Sequence, residues 1–378
     1  MAPGGRRPDR KEQRGEGEKE DQTAHGAEEC RSRGGHRCTE HRRAVGVARS
    51  CAPREADAVL RVALVIPNWN GRGWLEGCLG SVAAQSHRPD QVIVVDNGST
   101  DGSREWLAER WPGVRVIAHA ENLGFAVAAN RGIEAADAEA VALVNTDVEL
   151  APEWLERMLA ALEGGGDVAA VACKMVDLER PDRLYDTGDI LRRDGVCEQR
   201  GRFHEDVGRY EQAGEVFAAC AGAALYRRDA VRAVGGFDES FFAYLEDVDL
   251  GLRLRLAGWR CSYEPVEARH AGGGSSGRLA RPVAGWVARN TLLLVVKAFP
   301  LRWAPLVLYR QAAWAWRAAR AGVLRAHLAG LAAALPALAG ALRERRRLLR
   351  AAVVPMEEVV PARPVRGPRA GGHARARE

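Results

Sequence analysis

Three acidic residues, Glu246, Asp247 and Asp249, stand where an aromatic-rich loop gives way to a helix. The apolar residues around them recur four apart, which is the period of a helix with a buried face: Val248, Leu252 and Leu256, and Leu250 with Leu254. The acids therefore lie in the first helical turn, where the helix N-terminus favours the ionised form of a carboxylate. An ionised carboxylate can take a proton from a hydroxyl group, so Asp247 is a candidate general base.

A simpler explanation of these acids is that they only cap the helix, as lone Asp and Glu residues often do. Four aromatic residues crowd in just before them and indicate a desolvated pocket: Phe237, Phe241, Phe242 and Tyr244. Because a pocket of that kind suits a reacting group better than a cap, we favour the catalytic interpretation.

Polar residues also stand at the ends of several apolar segments. Segments 59–67, 91–96, 114–118 and 141–147 have the apolar bodies of buried parallel strands, and helical segments lie between them. This alternation predicts a parallel α/β sheet, whose ligands bind beyond the carboxyl ends of the strands. We therefore expect one shared ligand site at that edge, lined by Asp96, Asp101, Asn122, Asn145 and Asp147.

The common nucleotide-binding devices are missing from the sequence, since no G-x-G-x-x-G follows the first strand and there is no P-loop. The small-chained run 218–226, which contains Gly222, would let a ligand approach the backbone, although tight packing explains it nearly as well. His270 precedes a glycine-rich run that ends at Gly277, and is a candidate ligand for metal and phosphate.

These residues together indicate a reaction class. Asp147, His270 and the glycine-rich run could hold a divalent cation against a diphosphate, and oxygen and imidazole ligands suit Mg²⁺ or Mn²⁺. Such a cation would neutralise charge on a leaving nucleoside diphosphate, while Asp247 takes a proton from an incoming hydroxyl. The residues predict metal-assisted transfer of a group from a nucleotide-activated donor.

The ends of the 378-residue chain differ from its middle. Residues 1–57 have almost no aromatic or branched apolar side chains, which predicts a disordered extension. We expect a catalytic α/β domain at 58–280, a helical extension at 281–350 and a disordered basic tail at 351–378. The formal net charge of +5 is modest, and we expect no nucleic-acid partner.

The helical extension is rich in Ala, Leu, Trp and Arg, and we predict helices at 286–299, 303–323 and 324–342. Arginines interrupt its apolar runs, so we expect no segment to reach the roughly 20 residues of a clean membrane span. Two structures fit this composition: helices that lie in the membrane interface, or a packed helical subdomain.

Five motifs together resemble glycosyltransferase family 2, most closely its rhamnosyltransferase-like bacterial branch. They are Val65-Ile-Pro-Asn-Trp-Asn-Gly71, Val95-Asp-Asn-Gly-Ser-Thr-Asp-Gly-Ser103, Asn122-Leu-Gly-Phe125, Asn145-Thr-Asp-Val148 and the acidic stretch from Gly235 to Asp249. The similarity covers about residues 60–300, with the motifs in the family's order and spacing. It implies a GT-A fold, which is a Rossmann-like, mostly parallel sheet flanked by helices, here with a C-terminal helical extension.

The resemblance also implies roles for single residues. Asp96 would bind the nucleoside, and Asp147, with His270, would hold the metal; Asn145 replaces the first acid of the family's DXD motif, which leaves metal dependence open. Asp247 would be the base, with Glu246 as the less favoured choice. The nucleotide-sugar site would consist of Pro67, Asn68, Asn70, Asp96, Ser99, Asp101, Asn122, Asn145 and Gly222.

The implied activity is that of an inverting hexosyltransferase in cell-envelope polysaccharide synthesis. It would move a sugar, for which the branch suggests rhamnose, from a nucleoside-diphosphate sugar to a glycan or lipid-linked acceptor. The implied location is the cytoplasm, with peripheral attachment to the inner face of the membrane as an option.

Two alternatives stay open. A metal-dependent nucleotidyltransferase would show a basic glycine-rich loop after its first strand, which residues 68–73 match poorly. A non-catalytic nucleotide-binding protein would be marked by loss of the Asp247 carboxylate, and that carboxylate is present.

Overall fold

A computed structural model describes residues 60–272 and 280–363 of the chain. The expected disordered extension, most of the glycine-rich run after His270 and the end of the basic tail lie outside these described residues. The strands within the described ranges are β1 (Val62–Asn68), β2 (Gln91–Asn97), β3 (Arg115–His119), β4 (Ala140–Val144), β5 (Val148–Leu150), β6 (Val168–Asp177), β7 (Leu184–Asp186), β8 (Asp189–Leu191), β9 (Cys197–Gln199), β10 (Gly214–Val216), β11 (Ala223–Arg227) and β12 (Arg260–His270).

The helices cover the same two ranges and include three short 3₁₀ turns, at Glu239–Phe241, Leu301–Trp303 and Leu335–Ala337. The α-helices are α1 (Leu75–Ala83), α2 (Ser103–Arg110), α3 (Phe125–Ala135), α4 (Trp154–Glu163), α5 (Arg228–Ala233), α6 (Glu246–Leu256), α7 (Ala280–Ala298), α8 (Ala304–Arg320), α9 (Leu324–Ala334), α10 (Leu338–Ala351) and α11 (Met356–Val359).

One mixed sheet organises the catalytic part, in the order β10-β12-β6-β11-β4-β1-β2-β3. Strands β3, β2, β1 and β4 run parallel, as the alternation of strands and helices predicts. Beyond β4 the pattern changes, because β11 enters antiparallel between β4 and β6 and β12 then pairs parallel with β6. The predicted α/β sheet flanked by helices is confirmed.

Both faces of the sheet are covered by apolar side chains. Successive residues of a strand point to opposite faces, so Val65 packs in one cluster with Ile133 of α3, and Leu64 in the other with Leu79 of α1. Since the central strands are buried on both faces, their carboxyl ends are held at a fixed edge.

Helix α6 is buried on two sides. Its Leu250 and Leu254 pack in the cluster that also contains α3, while Leu252 and Leu256 belong to a third cluster formed with the C-terminal helices. Ten of its eleven residues are buried, and Asp247 is the exception.

The C-terminal helices enclose their own core, which contains Leu293, Leu294, Trp303 and Met356. Residues up to Val360 are buried in this cluster. The packed region therefore extends past residue 350, where we expected the disordered tail to begin.

Residues 324–351 form one helical stretch of 28 residues, because Pro336 lies in a 3₁₀ turn that continues the helix. By length and composition alone this stretch could cross a membrane, with a mean hydropathy of 1.3 over its most apolar 18 residues, 22% of which are buried. The expectation that no segment reaches such a length is therefore wrong, because the arginines of this stretch other than Arg325 lie at 343–350 and leave residues 326–342 without Arg, Lys, Asp or Glu.

Candidate active site

The carboxyl ends of β1 and β2 carry a hydrogen-bonded polar cluster around the fully buried Asp96. Asn68 Nδ2 donates to Asp96 Oδ2 at 2.8 Å and to Ser99 Oγ at 3.1 Å, and the Ser99 backbone N–H donates to Asp96 Oδ1 at 3.1 Å. The exposed Asn70 joins the cluster through its backbone N–H, 2.9 Å from Ser99 Oγ, and Pro67 is half-buried beside it. Residues from two separate motifs are thus in direct contact.

Asp101 orders the turn that opens α2. Its carboxylate accepts hydrogen bonds from the backbone N–H groups of Arg72 at 2.9 Å and Ser103 at 3.1 Å. Partial burial acts to raise its pKa, but these bonds and one from the Ser103 hydroxyl lower the pKa of Asp101 below its ordinary value. This turn-forming role accounts for Asp101 without any ligand.

Asn122 shapes the next turn, where its Oδ1 accepts from the Gly124 backbone N–H and from Asn97 Nδ2, both at 2.9 Å. Asn97 is buried and also contacts the Gly124 carbonyl at 3.0 Å, a role that we did not predict from the sequence. Its position directly after Asp96, at the same strand end, is the signal that would have found it. Together the two asparagines fix the start of α3.

Asp147 and His270 come together where β5 pairs antiparallel with β12. His270 Nε2 lies 3.3 Å from Asp147 Oδ1, and both side chains are largely buried. His270 Nδ1 accepts a hydrogen bond from the Gly272 backbone N–H at 2.9 Å. In the neutral ring Nε2 therefore carries the proton and faces the carboxylate.

The pair fits a divalent cation that arrives with a diphosphate. Mg²⁺ is commonly bound by one or two protein carboxylates together with substrate phosphates. Within residues 60–272 and 280–363 no group of three or more His, Cys, Asp and Glu residues could hold a metal by itself. Coordination by His270 Nε2 would also require its proton to move to Nδ1, which would break the hydrogen bond from Gly272.

Asp247 faces the same edge of the sheet. Its carboxylate accepts hydrogen bonds from the backbone N–H groups of Ala221 at 3.2 Å and Val248 at 2.8 Å. The next residue, Gly222, accepts at its carbonyl from the Asn145 backbone N–H at 2.8 Å. Residues 221 and 222 therefore connect the candidate base to the end of β4. A Cβ on Gly222 would lie 3.3 Å from Met175 Cε and 3.4 Å from Asn145 Nδ2, and this tight packing accounts for the glycine without a ligand.

The adjacent acids of α6 have opposite surroundings. Burial raises the pKa of Asp247, and the hydrogen bonds from Ala221 and Val248 act to lower it again. Glu246 is buried, its Oε2 has no hydrogen-bond partner among the described residues, and burial together with the Asp247 charge raises its pKa well above the ordinary value. Of the two acids, Asp247 is therefore the partly exposed one, and its carboxylate accepts two backbone hydrogen bonds.

Two further acids lie behind Asp247. Asp186, Thr187 and Asp189 lie in the polar stretch that follows Met175, and all three are buried. Burial raises the pKa of Asp186 to about 7, with the Asp247 charge contributing, and burial also raises the pKa of Asp189 well above its ordinary value. Two acids flanking Thr187 and Gly188 are the sequence signal that would have pointed to them.

The loop before α6 has an unusual backbone. Phe242, Tyr244 and Leu245 have φ angles of 62°, 71° and 67°. Phe242 is the centre of a γ-turn, closed by a hydrogen bond of 2.7 Å from the Ala243 N–H to the Phe241 carbonyl. Non-glycine residues in such conformations cost about 1–3 kcal/mol each and persist only where neighbouring groups hold them.

Comparison with known proteins identifies the family. Residues 63–235 match the model of glycosyl transferase family 2. The N-acetylglucosaminyl-diphospho-decaprenol L-rhamnosyltransferase of Mycobacterium tuberculosis is 32% identical over 304 residues, which cover 73% of this chain and 92% of that protein. This chain belongs to glycosyltransferase family 2. The predicted family and enzyme class are confirmed, and the nucleotidyltransferase and non-catalytic alternatives lose their support.

Other relatives of this glycosyltransferase agree. The pre-mycofactocin glycosyltransferase of Mycobacterium tuberculosis is 31% identical over 285 residues, which cover 72% of this chain and 56% of that protein. Among solved structures, GalNAc-T7 with UDP, GalNAc and Mn²⁺ aligns with a TM-score of 0.51 at 15% identity, over 64% of this chain and 48% of that one. The likeness confirms the predicted GT-A fold.

Proposed function

We propose that this glycosyltransferase inverts the anomeric centre of a sugar that it moves from a nucleoside-diphosphate donor to a hydroxyl of a glycan or lipid-linked acceptor, in cell-envelope polysaccharide synthesis. The observation that carries the proposal is the placement of Asp247. It is the one residue of α6 that is partly exposed, and it stands at the sheet edge that also carries the Asp147 and His270 pair.

The reaction is a single displacement. Asp247 accepts the proton of the acceptor hydroxyl, whose oxygen attacks the anomeric carbon from the side opposite the diphosphate. The bond between that carbon and the diphosphate oxygen breaks, and the nucleoside diphosphate leaves with the electron pair. Because one bond forms as the other breaks on the opposite face, the configuration inverts and no covalent sugar–enzyme intermediate is formed.

The other side chains hold the donor. The cluster around Asp96 would contact the nucleoside, together with Pro67, Asn68, Asn70 and Ser99 beside it. Asp147 and His270 would hold Mg²⁺ or Mn²⁺ against the diphosphate. When bound, that cation neutralises charge on the leaving group.

For the substrates, we propose a nucleoside-diphosphate rhamnose and a polyprenyl-diphosphate-linked sugar. Support comes from the Mycobacterium tuberculosis relative, whose name gives L-rhamnosyl transfer to N-acetylglucosaminyl-diphospho-decaprenol. An acceptor with a polyprenyl chain lies in a membrane, so we also propose a cytoplasmic protein attached peripherally to the inner face of the membrane.

A donor screen followed by product analysis tests the function. Thermal shift of the purified protein against a panel of nucleotide sugars, with and without Mn²⁺, should show stabilisation by one donor and an increase with metal. NMR of the product formed with that donor should show the anomeric configuration opposite to that of the donor. No stabilisation by any nucleotide sugar, or a product of retained configuration, would contradict the proposal.

A further inference from the structure

Asn290 of α7 is fully buried, and its side-chain amide faces the loop that leads into α6. Its Nδ2 lies 2.9 Å from the carbonyl oxygens of Phe241 and Ala243 and 2.8 Å from that of Tyr244. A single side chain therefore contacts three of the five carbonyl groups between residues 241 and 245.

Neighbouring residues of α7 contact the same loop. Arg289 Nη1 donates to the Ser240 carbonyl at 2.6 Å and to Asn290 Oδ1 at 2.8 Å. The Trp286 ring stacks on Tyr244 with the ring centres 6.0 Å apart, and lies 5.4 Å from the ring of Phe242. Residues three and four apart share one face of a helix, so α7 presents one continuous surface to the loop.

The loop needs such a surface. Its γ-turn at Phe242 and its left-handed residues Tyr244 and Leu245 are conformations that relax unless neighbouring groups hold them. The Phe242 carbonyl accepts the Phe125 N–H of α3 at 2.6 Å, whereas the carbonyls of Ala243 and Tyr244 lie outside the strands and helices, and buried carbonyls require donors. Asn290 supplies those donors from a helix more than 40 residues further along the chain.

We propose that Asn290 is a positioning residue for sugar transfer: it holds the backbone of residues 241–245 and thereby places the Asp247 carboxylate. The inference rests on the proposed role of Asp247 as the base. It assigns α7, the first helix of the C-terminal region, to the catalytic unit, because the Asn290 amide contacts three carbonyl groups of the loop that leads to Asp247.

Substitutions at two adjacent buried residues distinguish a positioning role of Asn290 from a general packing role of α7. Asn290→Ala removes the amide, whereas Thr291→Val removes a hydroxyl that is buried on the same helix without a hydrogen-bond partner among the described residues. A misplacement of about 1 Å costs on the order of 100-fold in rate. We therefore expect Asn290→Ala to lower kcat about 100-fold with the donor KM within about threefold, and Thr291→Val to match wild type in both.

A third variant, Asn290→Asp, keeps the shape of the side chain and removes its donors, so it should be as impaired as Asn290→Ala. Wild-type kcat in either Asn290 variant would overturn the proposal. So would an equal loss in Thr291→Val, since that would show a general sensitivity of the helix core.

Limited chymotrypsin digestion gives a readout that needs no sugar substrate. The partly buried Phe242 and Tyr244 should become faster cleavage sites in Asn290→Ala, at a temperature where the variant is folded, and stay protected in Thr291→Val. Unchanged cleavage in Asn290→Ala would overturn the proposed support of the loop. A wild-type protein that transfers no sugar would instead contradict the proposed function, so the two failures are distinguishable.

Discussion

At the scale of single residues, solvent access separates two acids that are neighbours in the chain. Glu246 is buried and Asp247 is partly exposed, because successive side chains of a helix are about 100° apart. Burial without a partner favours the protonated form of Glu246, whereas two backbone N–H donors support the ionised form of Asp247.

The first prediction compares these two acids. Asp247→Asn should abolish transfer and leave donor affinity within a few-fold, because the amide keeps the shape but cannot accept the proton. Glu246→Gln, which keeps the base, should retain measurable turnover. Steady-state kinetics and donor calorimetry check both variants, and full activity in Asp247→Asn would disprove the base assignment.

The second prediction concerns the pH dependence of stability. The pKa of Asp186 is raised to about 7 when folded, so the folded state binds more protons than the unfolded state between about pH 4 and pH 7. The ionisation of Asp186 therefore lowers the free energy of unfolding progressively as the pH rises through that window. Asp186→Asn should raise Tm relative to wild type at pH 8 and change it little at pH 4. Asp182→Asn, at an exposed position nearby, is the control, and equal effects of Asp186→Asn at both pH values would contradict the prediction.

At the scale of elements, α6 depends on close packing along its whole length. A Cβ on its Gly251 would lie 2.4 Å from the Ala218 Cβ, whereas a Cβ on Gly80 of α1 would meet nothing within 4 Å. The segment at 217–222 that supports Asp247 therefore lies against the helix backbone with no room between them.

The third prediction uses these two glycines. Glycine-to-alanine changes inside helices ordinarily stabilise a protein by up to about 1 kcal/mol, and Gly80→Ala should do so. Gly251→Ala should instead destabilise by about 1–3 kcal/mol through overpacking, and should also lower kcat because Ala221 shifts with Ala218. Denaturant unfolding measures the change in the free energy of unfolding for each variant, and stabilisation by Gly251→Ala would contradict the packing described.

At the scale of the whole molecule, the C-terminal helices have two different sides. Inward, Lys297 of α7 pairs with Asp249 of α6 at 2.7 Å, with Asp238 at 2.5 Å and with Glu344 of α10 at 3.3 Å. Outward, the helical stretch 324–351 shows leucines seven residues apart, each at least 41% exposed: Leu328, Leu335, Leu342 and Leu349. The stretch has six arginines and one acid, the inward-facing Glu344.

The fourth prediction follows from that outer side. Exposed leucines beside unopposed arginines suit an anionic membrane interface. Leu335→Glu combined with Leu342→Glu should reduce co-sedimentation with vesicles containing phosphatidylglycerol at least several-fold without lowering Tm. Val207→Glu, an exposed site in the catalytic part, should have no effect. Equal vesicle binding by all three proteins would contradict the proposed attachment.

The site residues that lie in short sequence motifs were predictable from the sequence. Motif spacing placed Asp96, Asp147, Asp247 and His270 at the ends of elements, and the structure brings them to one edge of the sheet. Asn97 and Asp186 were missed because a polar residue after a strand also fits an ordinary turn. The contacts of Asn290 could not be predicted, because no local sequence pattern around an Asn inside an apolar helix indicates its hydrogen-bond partners.

The sequence by itself determined the first four alternations of strand and helix, the parallel half of the sheet and the family, because periodicity and motif order are properties of neighbouring residues. Only the tertiary structure decided which acids are buried, how β11 and β12 enter the sheet, and that α7 holds the loop before α6. These depend on which distant segments meet, and burial and hydrogen-bond partners exist only after that packing is formed.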